Sequence, residues 1–344
     1  MQKPVLVIKL GTAVITDQHG NINSGIVKKV AADIALLSRS HNIVLVSSGA
    51  VASGKSFFRS YKGTLIERKA AAAVGNPILI QLYRKYFVKY ELTVAQALCE
   101  RQHFSNRQQF LQLKETFGEF WRNDILPVVN ENDLVSNVEL KFSDNDELAA
   151  LIAIGFDAAT WVICTSVGGL LNHSNKVIPT VNRIDDTIMG YVKSGKSHSG
   201  LGGMVSKLTF AKLATSLGIK VVICGLDGKD PISGAISGAK GTVFIPQPSD
   251  LKSRQKWLAS GSITIGSLHV DKGAARALLT RKSLLTIGIN EVMGNFTGGE
   301  VIQIIDEEGK ILGVAKSKLN ASEIRAQLRQ KNKIAAHADD IVIF

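Results

Sequence analysis

Over residues 1–250 the chain alternates between two textures. Short runs rich in β-branched and aliphatic residues recur at 5–9, 42–48, 92–96, 125–129, 160–164 and 220–224. Near-continuous apolar runs of this length fit strands buried on both faces. Between them, the longer stretches 26–38, 65–87, 146–154 and 207–217 carry helical spacing. Strands separated by helices predict βαβ units and an α/β fold with a mostly parallel sheet. In such folds ligands collect at the carboxyl ends of the strands, so the residues that follow each run matter most.

The texture changes near Pro246. The stretch Pro246-Gln247-Pro248-Ser249-Asp250 reads as a linker, and helical spacing becomes scarce after it. Short strands are predicted at 262–265, 301–306, 311–317 and 341–344, the middle two joined by a hairpin turn at Glu307-Glu308-Gly309-Lys310. A chain of 344 residues is long for one core. The expected domains are therefore an α/β body over 1–250 and a small β-rich domain over 262–344.

Composition narrows the class. A hydrophobic share of 45% with 20% charged residues argues for an ordered globular protein. The most apolar region, 148–164, is interrupted by Asp157, and the N-terminal run holds Lys9 and passes directly into Gly11-Thr12. Neither fits a membrane span or a secretory signal. Cys99, Cys164 and Cys224 form no C-x-x-C pair, and the last two sit in apolar runs where buried, inert thiols are expected. The cytoplasm is the expected compartment. A net charge of +12 would attract phosphate backbones. The positive residues are dispersed, however, without a block of five or six and without interleaved aromatics. A basic enzyme that handles anionic substrates accounts for the same charge, and nucleic-acid binding ranks second.

Candidate chemistry stands at the ends of the runs. The first closes on Ile8-Lys9-Leu10-Gly11-Thr12, and a lysine at the mouth of a buried strand is costly unless its ammonium meets an anion. The second closes on Ser47-Ser48-Gly49-Ala50, a pattern that also fits a serine N-cap. Asn130-Glu131-Asn132-Asp133 follows the fourth run, with Ser143-Asp144-Asn145-Asp146-Glu147 soon after. Such acidic and amide groups can accept from an ammonium or orient lysines, and Ser143 with Asp146 also fits a capping box. Finally, Ser197-His198-Ser199-Gly200-Leu201-Gly202-Gly203-Met204-Val205-Ser206-Lys207 lacks the Walker spacing. Its glycines precede a helix opened by Lys207 and fit either an ordinary flexible loop or a phosphate cradle whose Lys207 reaches the transferred group.

Together these segments, with Ala73-Val74-Gly75, resemble the amino acid kinase family, in the branch that phosphorylates glutamate. The likeness runs on through Arg254-Gln255-Lys256-Trp257, Val270-Asp271-Lys272-Gly273-Ala274 and Gly294-Asn295-Phe296-Thr297-Gly298-Gly299-Glu300 to His337-Ala338-Asp339-Asp340, nearly the whole chain. The C-terminal segments resemble a PUA domain. The resemblance implies a three-layer αβα sandwich and ATP-dependent phosphorylation of the γ-carboxylate of L-glutamate, the first step of proline biosynthesis. It implies Lys9 and Lys207 as the lysines on the transferring phosphoryl group, with Asp146 organising them. It assigns glutamate to Ser48, Asp133 and Asn145, and the nucleotide to Thr165, Ser166 and the run Leu201, Gly202, Gly203, Met204, Val205, Ser206, Lys207. It further implies Mg2+ accompanying ATP, a homo-oligomer, and a glutamyl-phosphate reductase acting downstream. PUA domains elsewhere bind RNA, which gives the second-ranked reading a location.

One segment departs from the family pattern. Where relatives carry Thr-Asp, then Gly-Leu-Tyr and Ala-Asp-Pro, this chain has Thr165-Ser166-Val167-Gly168-Gly169-Leu170-Leu171-Asn172-His173. Leu201 also replaces a common threonine. The expectation is intact phosphoryl-transfer lysines beside an altered nucleotide site.

Overall fold

The computed structural model describes residues 3–135, 145–193, 201–249, 266–328 and 333–343. Two compact units make up the chain, one of Met1–Glu100 and Glu115–Ser249, the other of Arg101–Lys114 and Asp250–Phe344.

The first unit is built on an eight-stranded sheet. Its strands are β1 (Val5–Leu10), β2 (Asn42–Ser47), β3 (Thr93–Cys99), β4 (Ile125–Glu131), β5 (Thr160–Cys164), β6 (Thr180–Val181), β7 (Lys220–Cys224) and β8 (Thr242–Phe244). They lie in the order β3-β4-β2-β1-β5-β7-β8-β6. From β3 across to β7 every neighbouring pair is parallel, and β8 runs antiparallel to β7. The chain moves from β1 to β2 on one side and returns on the other with β5. The carboxyl end of β1 is therefore the point where strand order reverses, which is where open α/β sheets bind ligands.

Helices α1 (Thr12–Ile15), α2 (Ser24–Leu37), α3 (Ala50–Gly54), α4 (Leu65–Phe87), α5 (Gln102–Ser105) and α6 (Arg107–Arg122) precede β4. Helices α7 (Asn145–Gly155), α8 (Asp186–Lys193), α9 (Leu201–Ser216) and α10 (Pro231–Ile236) follow it. The period-2 alternation of the strands sorts side chains between two helical layers. Leu6, Ile8 and Leu10 join one core with Val30 of α2, Leu79 of α4 and Ile232 of α10. Lys9 points to the other face, towards α7, which packs on β1 and β5. The three-layer sandwich expected from the resemblance is thus present, and the alternation places Lys9 opposite the helix that carries Asp146.

Helices α3 and α4 cross backbone to backbone. A methyl group on Gly75 would sit 1.8 Å from the Ala50 carbonyl oxygen, and one on Gly54 would sit 1.9 Å from that of Ala71. No side chain can yield there, so Gly75→Ala should destabilise by about 3 kcal/mol, the upper end of ordinary overpacking. Gly118 in α6 has open space where its Cβ would be. Gly118→Ala should instead gain up to about 1 kcal/mol from helix propensity. Urea unfolding of the two variants checks the opposite signs.

All three cysteines are buried, as the apolar runs around two of them predicted. Burial pushes the Cys99 thiol up to about 12 from its ordinary 9.0. Cys164, in register with Cys224 across β5 and β7, is raised by its hydrogen bond with that thiol and by burial. The folded state holds these protons more tightly than the unfolded chain, so their contribution to stability is complete below about pH 9 and lost as pH rises towards 12. The urea midpoint should fall as pH rises above about 9, and Cys99→Ala should narrow that drop.

The second unit holds a five-stranded sheet in the order β11-β9-β12-β13-β15 and a two-stranded pair, β10-β14. Its strands are β9 (Gly266–Val270), β10 (Leu284–Leu285), β11 (Ile289–Gly294), β12 (Val301–Ile305), β13 (Ile311–Lys316), β14 (Ile334–Ala336) and β15 (Ile341–Ile343). The predicted hairpin joins β12 to β13. Asp306 closes its turn, its Oδ1 accepting from the backbone N–H groups of Glu308 and Lys310. The strand expected at 262–265 lies outside the described residues. Helices α11 (Lys272–Leu279) and α12 (Ala321–Ala326) were not anticipated. Asp271 caps α11 by accepting from the Ala274 N–H at 2.7 Å.

Candidate active site

The carboxyl ends of β1, β2, β4 and β5 carry polar residues singled out in the sequence. At the reversal point, Asp146 in the first turn of α7 is almost fully buried and bridges two lysines. Its Oδ1 lies 2.6 Å from Lys9 Nζ, and its Oδ2 accepts from Lys207 Nζ at 2.9 Å. Lys9 is 5% exposed, so the anion its position demanded is Asp146. The N-terminal dipole of α7 favours the carboxylate. One carboxylate thus holds two ammonium groups, one buried and one with partial access to water.

Lys207 reaches this point from α9, where the expectation needs correcting. Lys207 does not open the helix after a glycine-rich loop, because α9 already begins at Leu201 and takes in Gly202, Gly203, Met204, Val205 and Ser206. Glycine opposes helix by up to about 1 kcal/mol each, but burial of Leu208, Ala211 and Ala214 on the same helix outweighs that cost. A helical side chain leans towards its own N-terminus. Lys207 accordingly runs back one turn, where Nζ also donates to the Gly203 carbonyl at 3.1 Å. Residues 194–200, and with them the first part of the predicted loop, lie outside the described residues.

A second group forms beside the first. Asn145 donates from Nδ2 to Ser48 Oγ at 3.0 Å and to Asn130 Oδ1 at 2.9 Å. Its Oδ1 is buried and accepts no hydrogen bond among the described residues. Asn130 Oδ1 also accepts from the Glu131 N–H at 2.9 Å, while its Nδ2 donates to Asn76 Oδ1 at 3.0 Å. Asp133 stands three residues on from Asn130, half-buried in the turn after β4. Ser48 is not an N-cap. Gly49 takes that position at φ +106°, and a methyl group there would come within 2.8 Å of Ile15 Cδ1. Ser143 and the capping box expected with it lie outside the described residues.

Sequence reasoning missed Asn76 and Tyr83. Both lie on the buried stripe of α4 at 72, 76, 79, 83 and 87. Tyr83 places its hydroxyl 2.6 Å from Ser47 Oγ, and burial raises its pKa. The signal that could have found them is a polar group on an apolar stripe.

Thr165 follows β5, and its backbone N–H donates to the Cys224 carbonyl at 2.8 Å, tying together the ends of β5 and β7. Its Oγ1 accepts from the Val167 N–H, and Ser166 is exposed. Asn172 closes a tight turn, its Oδ1 accepting from the N–H groups of Ser174 and Lys176. A cavity of about 530 Å³ opens beside these ends, lined by Gly168, Val177, Pro179, Gly225, Asp227 and Lys240. Residues 4–225 match the amino acid kinase family. The chain belongs to that family. Residues 266–337 match the PUA domain.

Among named relatives, a glutamate 5-kinase of Klebsiella pneumoniae (strain 342) is 35% identical, covering 99% of this chain and 99% of that protein. One from Bacillus cereus (strain B4264) is also 35% identical, covering 94% of this chain and 92% of its own length. Among solved structures, carbamate kinase from Giardia lamblia bound to AMP-PNP superposes with a TM-score of 0.52 at 17% identity. It covers 71% of this chain and 99% of that one, and shows the amino acid kinase fold. No helix among the described residues is long and apolar enough to cross a membrane.

Proposed function

We propose that this chain transfers the γ-phosphoryl group of ATP to the γ-carboxylate of L-glutamate, forming L-glutamyl 5-phosphate and ADP at the start of proline biosynthesis. The observation that carries this is the buried Asp146 bridging Lys9 and Lys207 at the strand-order reversal, beside the Ser48–Asn145 pair. Relatives named glutamate 5-kinase over nearly the whole length support it.

Phosphoryl transfer needs positioning and charge stabilisation more than covalent catalysis. Lys9 and Lys207 supply fixed positive charge where the transferring group becomes most anionic. Asp146 holds both ammonium groups at hydrogen-bonding distance, so little reorganisation is needed as charge moves. The acceptor carboxylate is already ionised near neutral pH, so no general base is required. The acceptor's ammonium suits the Asn145 Oδ1, which accepts no hydrogen bond among the described residues, and the carboxylate of Asp133, with the Ser48 hydroxyl bonded to Asn145. Thr165, Ser166 and the first turns of α9, Leu201 to Lys207, are assigned to the nucleotide in this reading.

Mg2+ fits as a passenger on the nucleotide's phosphates, since both Asp146 oxygens are taken up by lysines. Among the described residues no cluster of three or more His, Cys, Asp or Glu stands ready to hold a metal. When bound, the ion neutralises charge on the phosphates. The product is an acyl phosphate, prone to hydrolysis, so a reductase that consumes it promptly is the natural downstream partner. A homo-oligomer in the cytoplasm is the setting we assign.

A coupled assay of ADP release, run with glutamate, aspartate, N-acetylglutamate, carbamate and UMP against ATP and GTP, tests the assignment. Turnover should require glutamate and proceed with ATP. Turnover with another acceptor and none with glutamate would overturn it.

A further inference from the structure

We infer that Asn76, which is assigned to neither substrate nor nucleotide, is a positioning residue that sets affinity for the acceptor. This rests on the proposal that Asn145 binds the acceptor. Both hydrogens of the Asn145 amide are engaged, one by Ser48 Oγ and one by Asn130 Oδ1, and its buried Oδ1 accepts no hydrogen bond among the described residues. That orientation holds while Asn130 presents oxygen, not nitrogen, to Asn145. Asn130 could turn its amide over at little cost if nothing distinguished its two ends. Asn76 and the Glu131 N–H make the distinction together: Asn76 Oδ1 accepts from Asn130 Nδ2 at 3.0 Å and the Glu131 N–H donates to Asn130 Oδ1 at 2.9 Å, with both asparagine side chains buried. With Asn130 reversed, its NH2 would face the Glu131 N–H and the Asn145 amide, crowding donors together with no acceptor. Asn145 would be released, and its acceptor oxygen would no longer be held in place.

The framework around Asn76 serves the same end. Asn76 follows Gly75, whose backbone lies against Ala50 at the first residue of α3, and α3 starts two residues after Ser48. One helix crossing therefore fixes both ends of the series Ser48, Asn145, Asn130, Asn76. The same buried stripe of α4 also brings Tyr83 to Ser47, so this helix supports two strand ends at the acceptor side.

The test is steady-state kinetics on the full chain with glutamate and ATP varied separately. Asn76→Leu keeps the side chain's bulk but removes the acceptor. The KM for glutamate should rise roughly tenfold, the loss expected for one buried hydrogen bond, with kcat and the KM for ATP within about threefold of wild type. Asn76→Asp keeps an acceptor oxygen and should recover most of the glutamate affinity. Asn130→Asp presents oxygen to the Asn145 amide in either orientation, so adding Asn76→Leu to it should raise the KM for glutamate no further, and a further rise would count against the positioning role. If Asn76→Asp behaves as Asn76→Leu does, or if both KM values rise together, the positioning role is wrong. Asn145→Ala separates the two levels. An unchanged KM for glutamate there would remove the acceptor assignment itself, whereas a raised KM with a silent Asn76→Leu would overturn the Asn76 inference alone.

Discussion

Lys9→Ala and Lys207→Ala should each lower kcat by roughly 10²–10³-fold, the usual consequence of deleting a preorganised donor aimed at developing charge. Lys9 is held in a buried strand and Lys207 in a helix, and a single carboxylate fixes both. Neither ammonium has to be recruited as the phosphoryl group moves. Because the acceptor side is built separately from Ser48, Asn130 and Asn145, the KM for glutamate should change by only a few-fold. Losing both lysines should cost less than the product of the single effects, since they act on one group through one counterion. Wild-type kcat in both single variants would show that the phosphoryl group is transferred elsewhere.

Asp146 should prove as important for stability as for rate. Asp146→Ala leaves two ammonium groups facing each other, one of them 5% exposed. Breaking a buried ion pair by removing one partner typically costs about 3–5 kcal/mol, because the remaining charge stays desolvated. Lys207, with its side chain 15% exposed, has partial access to water, so most of the penalty should fall on Lys9. The double variant Lys9→Met/Asp146→Leu replaces charge with apolar volume and should recover part of the stability but none of the activity. Urea unfolding beside kcat measurements checks this. Equal stability losses in Asp146→Ala and the double variant would mean that the charges are not what the fold must satisfy.

The same residues mark how far the amino-acid sequence alone is legible. Lys9 can be found because a charge at the end of a β-branched run is anomalous, and the parallel sheet can be found because both-face burial writes continuous apolar runs. Asp146 and Lys207 came through resemblance, since sixty-one positions separate them and no local periodicity records their meeting. The start of α9 was misplaced because glycines were read by propensity, while packing of Leu208 and Ala211 decided the helix. Short elements such as β6, α11 and α12 leave too few residues for a period to register. The assignment of Arg101–Lys114 to the second unit depends on contacts distant in sequence, which no stretch of the chain announces by itself. Asn76 was passed over for a related reason. A polar residue in an apolar stripe signals an unmet partner but does not name it, and Asn130 is fifty-four positions away.

The nucleotide side shows how substitution and geometry combine. Ser166 is exposed, and Asn172 spends its side chain on its own turn. Neither side chain takes part in the contacts that tie Lys9, Asp146 and Lys207 together, whereas Leu201, which also differs from the family pattern, stands in the first turn of the helix that carries Lys207.

The central claim is that the acceptor is a carboxylate and that the product is an acyl phosphate. Hydroxylamine trapping reads this directly, because an acyl phosphate converts to a hydroxamate. With glutamate, ATP and Mg2+, γ-glutamyl hydroxamate should accumulate in step with ADP, and both should be lost in Lys207→Ala. ADP released without hydroxamate would contradict the account.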